Sequence, residues 1–174
     1  MLVQKPIAGL LCVLALCLAA QANADSQQPT KPARHLEQSA MTQHAAGTFD
    51  VKLLPLPSDA HGPDSPIGRM SNDKRFHGDL NGSSKGQMLM IRSTVEGSAA
   101  YVSIEVVTAT LQGRSGSFAL QHNGTMTRGV GQMAVTVVPD SGTEALQGLV
   151  GSLTITVANG VHGYDLAYTL PELP

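Results

Sequence analysis

The chain has 174 residues with 11 Lys and Arg against 13 Asp and Glu, no Trp, three Phe and three Tyr. This weak negative balance excludes the basic footprint of a nucleic-acid binder, and six aromatic rings are too few for a base- or sugar-stacking platform. The only two cysteines, Cys12 and Cys17, lie near the N-terminus, so a chain that loses that segment has no disulfide, thiolate metal site or cysteine nucleophile.

Residues 1–24 read as a signal peptide. A short n-region carries Lys5, an apolar run covers residues 7–20, and Ala22-Asn23-Ala24 offers the small-x-small pattern of a cleavage site. The apolar run is shorter than the roughly 20 residues that cross a bilayer, which argues against a retained anchor. Leu11 and Leu16 precede the two cysteines where lipidation wants a small residue. A cut after Ala24 places the chain in the periplasm or outside the cell, with no membrane attachment. It leaves about 150 residues, the size of one well-cored domain.

Residues 25–46 are polar, include Pro29 and Pro32, and carry no strand period; they read as a flexible linker ahead of a domain over 47–174. Strand character begins at Gly47, where Phe49, Val51 and Leu53 alternate with polar residues over 47–56. Pro55, Pro57, Pro63 and Pro66 make 55–67 a loop. Residues 69–80 and 84–95 read as a hairpin turning at Asn81-Gly82. Residues 97–131 form the centre of the chain, two long strands turning at Gly113-Arg114-Ser115-Gly116. Residues 133–139, 149–158 and 162–170 complete about eight strands, the last pair joined at Asn159-Gly160. Nothing after residue 46 has a helical period. The fold class is therefore all-β, and a meander of this size removes its two exposed edges best by closing into an antiparallel barrel; a two-sheet sandwich is the alternative.

The central strands gather Tyr101, Glu105, Arg114, Phe118 and His122, and Tyr164 lies on the apolar face of the last strand. These six are the candidate ligand-binding residues. His77, Arg75 and Asp79 on the second strand extend the set. Glu105 and His122 are the candidate catalytic pair, since a carboxylate in an apolar lumen beside an imidazole is what proton transfer needs. A plain ion pair between Glu105 and Arg114 at a barrel rim explains the same residues without catalysis. Either face of the strand holding Tyr101, Ser103 and Glu105 could point inward. Scattered histidines give no metal site, and no cofactor motif survives its context. Gly82-Ser83-Ser84-Lys85-Gly86 joins two strands rather than a strand and a helix. Ser71 and Lys74 of an S-x-x-K match fall on opposite strand faces, and Gly129-Val130-Gly131-Gln132-Met133-Ala134 leads into a strand.

The words RMSNDKRFHGDLNGSSKGQML (69–89), GSAAYVSIEVVTATLQGRSGSFALQHNGTM (97–126), VVPDSGTEALQGLVGSLTI (137–155) and HGYDLAYTLP (162–171) resemble the bacterial DUF3224 family over most of residues 47–171. The resemblance implies a small barrel related to allene oxide cyclases and plant dirigent proteins, whose shaped interior takes one lipophilic molecule. It transfers no catalytic residue. The expectation is an exported barrel that binds a small apolar or amphipathic molecule in its lumen. The alternatives are an isomerase or cyclase using Glu105 and His122, and a non-catalytic module that self-associates through its outer face.

Overall fold

The computed structural model describes residues 41–57 and 65–172; the signal-peptide reading falls outside them. Eight strands follow one another: β1 (Gln43–Pro55), β2 (Gly68–Gly78), β3 (Leu80–Arg92), β4 (Ala99–Leu111), β5 (Arg114–Thr127), β6 (Val130–Val137), β7 (Val150–Ala158) and β8 (Val161–Thr169). Each pairs antiparallel with the next, and β1 pairs with β8 from Gln43↔Tyr168 to Phe49↔His162, so the sheet closes on itself. The barrel expectation holds, and the sandwich does not. β1 starts at Gln43, four residues inside the segment read as linker, because its first residues complete the ladder to β8.

Two turns lie elsewhere than the sequence suggested. Asn81-Gly82 sits within β3, opposite Thr110 and Ala109 of β4; the chain reverses instead at Asp79. Asp79 is held there from three sides, taking the Ala46 N–H on its carboxylate, donating to the Ala46 carbonyl and accepting from the Gln112 amide. The β4–β5 turn is Gln112-Gly113, with φ of 45° and 89°, and Arg114 already belongs to β5. Positive φ at both central residues matches the right-handed twist of paired strands. Asn159-Gly160, with φ of 52° and 78°, makes the expected turn of the same kind.

Strand parity decides what lies inside. Phe49 on β1, Phe76 on β2, Leu80 on β3, Val107 and Leu111 on β4, Phe118 and Leu120 on β5, and Tyr164, Leu166 and Tyr168 on β8 pack the half of the barrel nearest the β4–β5 turn. Between β6 and β7 a single turn of 3-10 helix (Glu144–Leu146) lays Leu146 and Leu149 over that end. Arg114 holds the cover in place, donating from Nε to the Ala145 carbonyl at 2.8 Å and from Nη1 to the Pro171 carbonyl at 2.6 Å.

β4 turns its more polar residues inward. Tyr101, Ser103 and Glu105 face the lumen, whereas Val102, Ile104 and Val106 stand on the outer wall, each about half exposed at 54%, 52% and 53%. The β6–β7 seam also departs from the rest of the wall: it is paired only at Thr136↔Ser152, while both strands are paired along their lengths on their other sides. Beyond that pair no ladder joins the two strands, and residues 131–136 and 152–155 on either side of the seam border one cavity.

A candidate ligand cavity above a buried ionic cluster

Four consecutive strands each send one side chain to the same point at mid-height. Glu105 of β4 is 1% exposed. Its Oε1 accepts from Lys74 Nζ of β2 at 2.6 Å and from His122 Nε2 of β5 at 2.7 Å, and its Oε2 accepts the Ser84 hydroxyl of β3. A second buried pair lies beside it, Asn72 Nδ2 donating to Ser103 Oγ at 3.2 Å, with Ser103 Oγ donating to the Gln87 carbonyl at 2.9 Å. Lys74 Nζ also stands over the Phe49 ring, 5.6 Å from its centre, where the π-face attracts a cation.

The electrostatics follow from this packing. Burial alone would raise the Glu105 pKa, but the His122 hydrogen bond, the Lys74 charge and hydrogen bond, and the Ser84 hydrogen bond together bring it below the ordinary carboxylate value. Burial lowers the Lys74 pKa, an effect that the Glu105 charge and hydrogen bond offset only in part. Because an ionised carboxylate only accepts, its contact with His122 requires a proton on Nε2. No buried side-chain nitrogen or oxygen among the described residues lacks a partner.

Toward the open end the interior becomes hollow. A cavity of about 680 Å³ is bounded by Met88 and Met90 of β3, Tyr101 of β4, Met126 of β5, Met133 of β6, and Leu153 and Ile155 of β7, and it reaches the seam at Gln132, Thr136, Ser152 and Thr154. Its floor is set by register: Met88 pairs with Ser103, Ser103 with His122 and His122 with Val135, and both Met88 and Val135 line the cavity. The ionic cluster thus lies directly beneath an apolar chamber. Tyr101 stands one row higher, its ring over Gly124, where even a Cβ would come within 2.2 Å of the ring. Asn123-Gly124 lies mid-strand, the glycine leaving room for the tyrosine. The Tyr101 hydroxyl donates to Met133 Sδ at 3.0 Å, and burial, with the Glu105 charge, raises its pKa.

Of the six ligand-binding candidates, the structure brings Glu105 and His122 into contact and sets Tyr101 on the cavity wall. It does not bring the other three there. Arg114 is at the covered end on backbone carbonyls, so the expected Glu105–Arg114 pair is replaced by Glu105–Lys74. Phe118 is sealed in the core, and Tyr164 is buried with its hydroxyl accepting the Leu80 N–H at 2.9 Å. The β2 residues His77 and Arg75 face outward, His77 meeting Asp50 at 3.0 Å across the β1–β2 pair. Sequence reasoning missed Lys74, Ser84 and Asn72. Phe76 carried the usable signal: residues at its parity on β2, Asn72 and Lys74, had to share its inward face.

A closed antiparallel barrel with a plugged end, a buried ionic mid-layer and an open apolar chamber defines a small β-barrel class. The protein-of-unknown-function family DUF3224 matches residues 45–168, and the chain belongs to that family. A solved DUF3224 protein of unknown function from Shewanella oneidensis is 42% identical, with a TM-score of 0.70 over 76% of this chain and 100% of its own. No curated protein matches the chain.

Glu105→Gln removes the charge and keeps the shape, leaving the Lys74 ammonium buried without its counter-ion, and should cost about 3–5 kcal/mol in urea unfolding at neutral pH. Since folding lowers the Glu105 pKa, its contribution is complete above the unfolded value near 4.5 and is lost as pH falls through the folded value. Wild-type stability should therefore fall below that pH more steeply than that of Glu105→Gln. A variant within 1 kcal/mol of wild type, with the same acid limb, would contradict the cluster's structural role.

Proposed function

We propose that the protein is exported, loses residues 1–24, and binds one small, mainly apolar molecule in the open half of its barrel. The observation that carries this reading is the 680 Å³ chamber walled by methionines and aliphatic side chains. That volume falls within the roughly 300–1,000 Å³ of small-molecule sites, and flexible thioethers adapt to varied apolar shapes. The incompletely paired β6–β7 seam supplies a way in. We further place the barrel with the allene oxide cyclase and dirigent barrels, which work through a shaped pocket; the sequence words quoted above support that relationship.

The geometry favours binding over proton chemistry at Glu105 and His122. Glu105 is paired with Lys74, has both oxygens engaged by Lys74, His122 and Ser84, and is 1% exposed, so a substrate reaches the carboxylate only by displacing the side chains packed around it.

Intact mass of the chain recovered from outside the cytoplasm should correspond to an N-terminus at Asp25; a retained leader would contradict export. Diphenylhexatriene, a hydrocarbon that fluoresces strongly only out of water, should be taken up one to one by the wild-type protein. Met90→Trp, which fills the chamber, should weaken that uptake by about tenfold or more, equivalent to 1.4 kcal/mol. No uptake by wild type, or equal uptake by the variant, would overturn the binding reading.

A further inference from the structure

The polar groups of the chamber are few and are uncharged. Among the described residues that line it there is no Lys, Arg, His, Asp or Glu. The charges just beneath, Lys74 and Glu105, neutralise one another. An anionic or cationic head would therefore enter a low-dielectric chamber with no counter-ion, a large penalty for a buried ion. Gln132, Thr136, Ser152 and Thr154 stand at the seam and are exposed.

Tyr101 is the exception. It is the polar side chain on the inner wall, and its hydroxyl is spent on a thioether sulfur, a weak acceptor. A partly buried phenol whose proton goes to sulfur gains when an oxygen acceptor arrives, because the exchange replaces a weak hydrogen bond by an ordinary one. Its ring is positioned by the strands: β4 holds it at the inward parity, and Gly124 across the β4–β5 pair leaves the space that the ring fills. Met88 and Met90 of β3 flank it on one side, and Met126 of β5 and Met133 of β6 on the side of the seam, so thioethers provide an apolar bed for the rest of the molecule.

We infer that the occupant of this chamber is an uncharged amphipathic molecule carrying a carbonyl-type oxygen, which accepts the Tyr101 hydroxyl in place of Met133 Sδ while an apolar chain lies along Met88, Met90 and Met126. This rests on the binding reading above and adds the head-group class and the residue that selects it.

Competition against diphenylhexatriene tests it with three chains of matched length: undecan-2-one, 2-methylundec-1-ene, in which a CH2 group replaces the oxygen, and undecanoate at pH 8. In wild type the ketone should bind at least about tenfold more tightly than the carboxylate. In Tyr101→Phe the ratio of ketone to alkene affinity should fall about three- to tenfold, the size of one hydrogen bond. Met133→Leu removes the competing sulfur but keeps the hydroxyl, and should retain or widen that ratio. Undecanoate binding as tightly as the ketone, an unchanged ratio in Tyr101→Phe, or a lost ratio in Met133→Leu would overturn the head-group assignment while leaving the chamber as a binding site. Failure of the hydrocarbon dye to bind wild type would remove the binding reading itself.

Discussion

An ionised carboxylate at the centre of a barrel must be surrounded by donors, and Glu105 takes them from three other strands. Lys74, Ser84 and His122 come from β2, β3 and β5, so the contact is satisfied only if four consecutive strands hold one register. A one-residue slip of any of them would turn its donor to the outside and leave the buried charge short of a partner, a larger penalty than the loss of a methyl contact. The rest of the interior is arranged around that constraint.

Below the cluster, the barrel is filled by Phe49, Phe76, Phe118, Leu120 and Leu166 and covered by Leu146 and Leu149. Above it, side chains of the same strands stop short of filling the space. The inward positions become methionine, tyrosine and glycine, and β6 parts from β7 after one paired position. Rigidity and access are thus separated along the barrel axis: the covered half and the ionic layer carry the fold, and the open half can yield to a guest. An eight-stranded barrel is at the size where its lumen either fills with side chains or leaves room for one small ligand, and this chain fills one half and leaves the other hollow.

Much of the architecture could be read from period-2 alternation. β1, β7 and β8 alternate cleanly, and Asn159-Gly160 marks its own turn. The turns at Asp79 and Gln112-Gly113 escaped because Asn-Gly and Gly-rich words are ambiguous: Asn81-Gly82 and Asn123-Gly124 carry glycine for space within a strand, not for reversal. The site was only half legible. Glu105 and His122 stood out as ionisable groups in an apolar run, but β4 defeats hydrophobic reasoning, since its better apolar face, Val102, Ile104 and Val106, is the outer one. Lys74 was hidden for the opposite reason. A lysine next to Asp73 and Arg75 reads as a solvated strand face until Phe76 at its own parity is known to be inside. Arg114 misled because its chain position beside the central turn says nothing of which carbonyls its guanidinium reaches.

The most direct test of a hollow half above a sealed ionic layer is a methyl spectrum of the methionines, recorded by NMR while undecan-2-one is added. The resonances of Met88, Met90, Met126 and Met133 should move and saturate together, while that of Met41, exposed ahead of the first strand, should stay in place. A shift at Met41 equal to those of the four chamber methionines, or no saturable shift at any of them, would contradict the account.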